Sequence, residues 1–213
     1  MWGMSIYRVL CFTGPKIQYA HVGDFGKRHI IQFTGLSGAG KTTLSAVASD
    51  QLAALGYKVV VLEGDEQRKT LSADLGFSKA DRLEHLRRLA CLANETEADM
   101  VLIAVINPYD VARTYFRETS GARLVWLKCA LDVLRERDTK ALYARAALPP
   151  GHPYRLANLT GVNDPYEEPI DADLVIDTGT DTLENSAAKL VTYLTSLLND
   201  TLVKAHFTET LPT

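Results

Sequence analysis

A glycine, four intervening residues, a second glycine, a lysine and a threonine occur together at Gly35, Gly40, Lys41 and Thr42, inside the stretch GLSGAGKTTL. That spacing suits the gripping of a triphosphate tail. Glycines let the backbone curl until successive N–H groups point inward at phosphate oxygens. A helix that starts at the lysine adds its positive end. Lys41 reaches the outer phosphates as a point charge, and the Thr42 hydroxyl is a ligand for magnesium. The same letters also occur in ordinary glycine turns, so the flanks decide. The apolar run IIQFT precedes the loop and an amphipathic run follows it, which is the strand–loop–helix context the mechanism needs.

Acids and arginines at later strand ends come next. LEGDEQR places Glu63, Asp65 and Arg68 together. An acid there either holds magnesium or accepts a hydroxyl proton, and an arginine three residues on clamps an anion. A solvated helix start is the plain alternative, because acids are favoured there by the helix dipole. The next strand runs into INPYDVAR, so that Ile106 and Asn107 form either a simple turn or one wall of an acceptor site.

These residues need a sheet to hold them. Leu44, Val47, Ala48, Leu52 and Leu55 recur at helical spacing, and Gly56 stops that helix. YKVVVLEGD is a strand, and an interrupted helical stretch covers about 66–97, with Ser78 able to cap its second part. DMVLIAVINP is the most apolar strand. A short helix near 110–118, the strand ARLVWLKC, a charged helix from Leu131, a proline-rich loop, the strand ADLVIDT and a closing helix follow. In the closing helix Leu183, Ala187, Leu190, Val191 and Leu194 share a face. Alternating strands and helices predict an α/β fold, a P-loop NTPase three-layer sandwich with a mainly parallel central sheet. The expected division is an N-terminal extension at 1–28, either a hairpin or a loose segment, a kinase domain at 29–200 and a tail at 201–213.

Composition narrows the setting. Of 213 residues, 46% are apolar and 23% charged, with a net charge of −3. This is enough for a packed core and gives no reason to expect nucleic-acid binding. No apolar run is long enough to span a membrane. The cysteines Cys11, Cys91 and Cys129 are far apart in sequence. They predict no disulfide framework and a reduced, cytoplasmic setting.

The blocks GLSGAGKTT, EGDEQR, GFSKADRLEHLRR, INPYDVAR, RDTKALYARA and NLTGVNDPYEEP resemble, in the same order, the motifs of the adenylylsulfate kinases. The resemblance covers roughly residues 30–178. It implies an ATP-dependent phosphotransferase acting on the 3′-hydroxyl of adenosine 5′-phosphosulfate. ATP with Mg²⁺ would sit on Gly35, Leu36, Ser37, Gly38, Ala39, Gly40, Lys41, Thr42 and Thr43, with Arg137 against its adenine. Thr42 and Asp65 would lie at the metal, and Lys41 and Asp65 would be catalytic. Arg68, Phe77, Arg82, His85, Ile106, Asn107, Lys140 and Leu159 would form the acceptor site. Within it Phe77 stacks on adenine, and Arg68 and Arg82 neutralise the phosphosulfate. Lys140 and the segment leading to Leu159 would close over both ligands. The family is also often dimeric, which implies a homodimer.

Each role has a plainer rival. Phe77 could equally belong to the core, Lys140 to the open surface, and Arg82, Arg87 and Arg88 to a solvated helix face. The chain also departs from the family pattern. Glu63 replaces an aspartate, His85 an asparagine, Ala141 a glycine and Leu159 a phenylalanine. Asn107 stands where many members have a serine that is phosphorylated in some. An amide forms no such ester, so transfer is expected to be direct. The lid segment ALPPGHPYRLAN is longer than usual. These departures motivate two other readings: a kinase for a different nucleotide acceptor, and a nucleotide-binding regulator without transfer activity.

Overall fold

A computed structural model describes residues 10–12, 17–19, 28–138 and 140–209, with side chains over 28–138 and 140–199. Five strands form the main sheet: β3 (His29–Thr34), β4 (Val59–Glu63), β5 (Met100–Ala104), β6 (Arg123–Lys128) and β7 (Leu174–Asp177). Every neighbouring pair is parallel and the order is β4-β5-β3-β6-β7. Two short strands before them, β1 (Leu10–Phe12) and β2 (Ile17–Tyr19), pair antiparallel.

The alternation of side chains along central strands builds a core on each face. Ile31, Phe33 and Leu102 point one way, into a cluster with Leu44, Leu52, Leu190 and Leu194. That cluster lies beneath α1 (Lys41–Ala54) and α7 (Leu183–Glu209). Ile30, Val101 and Ile103 point the other way, against Leu86, Leu89 and Phe116. These come from α3 (Lys79–Glu95) and α4 (Asp110–Ser120). Each such fully buried side chain contributes about 1.5–3 kcal/mol of transfer free energy. Two packed faces explain why β5 is buried along its whole length.

Local chemistry sets the ends of these elements. Gly40, at φ 91, precedes α1. Ser78 caps α3 with a reciprocal box: its hydroxyl accepts from the Asp81 N–H, and Asp81 reaches back to the Ser78 N–H. The interruption expected near Phe77 is thus a true break, separating α2 (Gly64–Lys69) from α3. Between β6 and β7 lie α5 (Leu131–Arg137) and a one-turn helix, α6 (Leu142–Ala146). The sequence reading did not resolve α6 within that charged and looping stretch. The Asp138 carboxylate starts it by accepting from the N–H groups of Tyr143 and Ala144. Ala141 has φ 50 at its N-cap, a conformation that favours glycine and accounts for the glycine of the resembling family at this position.

Two expectations are corrected. Leu55 and Leu183 are 62% and 53% exposed, because both lie where their helices end rather than on the packed face. Cys91 is disulfide-bonded, whereas Cys129 is free. The final helix, α7, runs to Glu209. No helix among the described residues is long and apolar enough to cross a membrane.

Candidate active site

The carboxyl ends of β3, β4 and β5 open into one cavity of about 680 Å³, where open α/β sheets place their ligands. From the phosphate loop, Ser37, Gly38, Gly40, Lys41, Thr42 and Thr43 line it. Gly35, Leu36 and Ala39 do not; they hold the loop in place. A Cβ on Gly35, whose φ is 147, would stand 2.5 Å from the Leu127 carbonyl. Leu36 packs so closely on Gly161 that a Cβ there would meet it at 2.5 Å. Ala39 is fully buried, and its carbonyl accepts from the Thr178 hydroxyl. The Tyr143 hydroxyl donates to the Ser37 carbonyl at 2.7 Å, tying α6 to the loop. Tyr143 had no role in the sequence reading, although it stands in the RDTKALYARA block.

Lys41 folds over its own loop, donating to the carbonyls of Gly35 and Leu36 at 2.8 Å each. Burial pushes its ammonium down to about 8; Asp65 opposes that shift and Lys140 adds to it. Thr42 donates to Glu63 at 3.3 Å. Asp65 meets Lys140 across the mouth of the cavity at 3.4 Å, with side chains 81% and 68% exposed. So exposed an ion pair contributes at most about 1 kcal/mol and yields readily to a ligand. Arg137 lines the cavity from α5 and donates to the Thr178 carbonyl at 2.7 Å.

The predicted acceptor residues Arg68, Phe77, Arg82, His85, Ile106, Asn107, Lys140 and Leu159 all border the same cavity. Phe77 is 56% exposed, which rules out a core role. The guanidinium groups of Arg68 and Arg82 lie 4.8 Å and 5.8 Å from its ring centroid. Arg82 is 9% exposed and spans from α3 to the segment 158–164. It donates to the Asn158 carbonyl at 2.8 Å and to the Thr160 hydroxyl at 3.2 Å, and lies 3.1 Å from Asp164. It therefore also holds the segment that carries Leu159, a role the sequence reading missed. Leu159 is buried, packing into the α1–α7 core as well as bordering the cavity.

His85 is buried. Its Nδ1 bonds the Ser72 hydroxyl at 2.9 Å and its Nε2 has no hydrogen-bond partner. Burial, with the Arg68 charge adding, pushes the imidazole down to about 4, so it is neutral at pH 7. Arg88 is engaged elsewhere, with Asp74 and Glu84, and Arg87 pairs with Glu84. Neither is part of the site.

A phosphate loop, a carboxylate and a cationic, aromatic cradle in one cavity can bind two anionic ligands and pass a group between them. Comparison with known proteins bears on which ligands. The family model described as adenylylsulphate kinase matches residues 27–177. An adenylyl-sulfate kinase of Halothermothrix orenii is 42% identical over 167 residues, 77% of this chain and 88% of that one. Another, from Bacillus pumilus, is 40% identical over 173 residues, 79% of this chain and 85% of that one. Among solved structures, a Mycobacterium tuberculosis APS kinase in complex with AMPPNP and APS superposes with a TM-score of 0.70 at 31% identity. It covers 79% of this chain and 98% of that one.

Proposed function

The chain belongs to the adenylylsulphate kinase family, and we propose that it transfers the γ-phosphoryl group of ATP to the 3′-hydroxyl of adenosine 5′-phosphosulfate. The products are ADP and 3′-phosphoadenosine 5′-phosphosulfate. The observation that carries this reading is the continuity of one cavity from Lys41 and Thr42 through Asp65 to Arg68, Phe77 and His85.

The residues divide the work. Backbone N–H groups of residues 35–42 and the start of α1 receive the triphosphate, and Lys41 leaves its two carbonyls for the outer phosphates. Phe77 offers an aromatic face for the acceptor adenine. Arg68 meets the phosphosulfate, and Arg82 holds the segment that closes beside it. Asp65 aims the sugar hydroxyl at the γ-phosphorus and takes its proton. The Lys140 ammonium leaves Asp65 for phosphate oxygens as the lid closes.

Magnesium suits the donors here. The Thr42 hydroxyl and Glu63 carboxylate are oxygens 3.3 Å apart, and Asp65 follows on α2, a set fit for a hard cation that keeps phosphate and water among its ligands. When bound, the ion neutralises charge on the transferring phosphoryl group.

Lys41 gives the site a pH signature. A bound phosphate tail favours the charged ammonium. Nucleotide binding therefore takes up a proton once the pH exceeds about 8, and affinity falls as pH rises through that value. Below it the ammonium is already charged and adds no dependence. Calorimetric titration at about pH 7 and about pH 9, in buffers of different ionisation enthalpy, reads this directly. The expected extra proton uptake appears only at the higher value.

His85 and Leu159 at the acceptor side favour one rival, a different nucleotide acceptor. Measuring ADP release with a panel of nucleotide acceptors separates the two. The reading predicts a strong preference for adenosine 5′-phosphosulfate. Equal or greater turnover of another nucleotide supports the rival, and ATP binding without turnover of any acceptor supports an inactive regulator. The homodimer that the resemblance implies is tested by light scattering of the purified protein.

A further inference from the structure

Behind the acceptor wall lies a set of buried polar groups that the reaction above does not use. Asn107 Nδ2 donates to Gln32 Oε1 at 2.8 Å. Gln32 Nε2 donates to the Arg113 carbonyl at 3.1 Å. Arg113 Nη1 donates to the Asn107 carbonyl at 3.2 Å. The three bonds close a ring across β3, the turn after β5, and α4. Gln32 and Asn107 have no exposed surface and Arg113 is 3% exposed. Arg113 Nε has no hydrogen-bond partner, and Asp110, at 3.5 Å, is a well-exposed counter-charge. A buried cation so sparsely compensated is a weak stabiliser. What it positions is the more informative question.

What the ring encloses is Asn107, at φ 43, a left-handed conformation that most side chains avoid and asparagine tolerates. Thr34 Oγ1 lies 2.8 Å and 3.0 Å from the carbonyls of Ile106 and Asn107, so β3 grips the same turn. Ile106, Asn107 and Pro108 border the cavity. The direction of the ring is fixed as well. Because Gln32 spends its amide N–H on the Arg113 carbonyl, it presents only an acceptor to residue 107, which must then be a donor of asparagine's reach.

We infer that Gln32 and Arg113 are positioning residues for the acceptor. Closing a ring through Asn107, they lock residues 106–108 as a rigid wall and so set how tightly the second nucleotide is held. The inference rests on the acceptor reading of this cavity. Asparagine at 107 is in this account one member of a matched set with Gln32, not an isolated exchange for serine.

The test uses Gln32→Leu and Asn107→Gly, singly and together, in full-length protein, with steady-state kinetics for both substrates. Glycine keeps the left-handed conformation open while removing the side-chain bond. Each single variant should raise the acceptor KM about five- to tenfold and leave the ATP KM within about twofold. The double variant should be no worse than the larger single effect, since Gln32→Leu already removes the side-chain bond that Asn107→Gly removes. Asn107→Ser should lose at least as much as Asn107→Gly, because its hydroxyl is too short to reach Gln32 and its Cβ is disfavoured at φ 43. Fully additive effects, equal rises in both KM values, or an unchanged acceptor KM in Asn107→Gly would overturn the inference. Should Gln32→Leu fail to fold, Asn107→Gly decides by the same split. If the unaltered protein does not turn over adenosine 5′-phosphosulfate, the reaction reading fails and hydrogen exchange judges the ring alone. Exchange at residues 106 and 107 should quicken about tenfold in Asn107→Gly with α1 unchanged, and unaltered exchange there would overturn the ring.

Discussion

Replacing Lys41 with alanine is expected to lower kcat/KM by about a thousandfold while leaving the fold intact. The size follows from what the ammonium does. Lys41 stands at the start of α1, and in the proposed reaction it is the cation that meets the outer phosphates, its charge acting in a site partly cleared of water. Losing one preorganised group that stabilises transition-state charge costs about 10²–10³ in rate, and Lys41 also contributes to ground-state binding. Stability should change little, because the ammonium bonds only the Gly35 and Leu36 carbonyls of its own loop and its burial disfavours the charged form. Steady-state kinetics together with a thermal melt check both halves. A variant that keeps its melting temperature and its activity would remove Lys41 from the mechanism.

Asp65→Asn carries the second large effect, a fall in kcat of about 10²–10⁴ with modest change in either KM. Asparagine keeps the shape and a hydrogen-bond acceptor but cannot take the hydroxyl proton. Asp65 borders the cavity that the phosphate loop also lines, and its contact with Lys140 is exposed and weak. Lys140→Met serves as a control. If Asp65 acted only by holding Lys140, the two variants would lose the same activity. The account predicts a much larger loss for Asp65→Asn, concentrated in kcat. A rise in acceptor KM with kcat preserved would make Asp65 a binding group and leave the proton without a base.

The phosphate loop and the layering of the fold were legible because both are written locally. Glycine spacing, a preceding apolar strand and helical periodicity in α1 are read within a few residues of one another. The residues assigned to the acceptor came from motif blocks, and the structure brings them to one cavity. What escaped was long-range. Arg82 binds a segment some 76 residues away at Asn158, and Tyr143 reaches Ser37 across 106 residues. Gln32 looked like one polar residue in an apolar strand. Its meaning comes from Asn107 and Arg113, which the turn after β5 and the following helix α4 bring back beside it. Periodicity also overreached at Leu55 and Leu183, since a helical repeat does not reveal where the neighbouring element stops covering it.

The central claim is that one cavity holds donor and acceptor together, so that the phosphoryl group moves once, directly, from ATP to the sugar hydroxyl. Its sharpest test is the stereochemical course of transfer from ATP made chiral at the γ-phosphorus. A single in-line displacement, expected here because Asn107 cannot carry the group, gives inversion in the phosphorylated product. Retention would reveal two successive transfers through a protein-bound intermediate and would contradict the account.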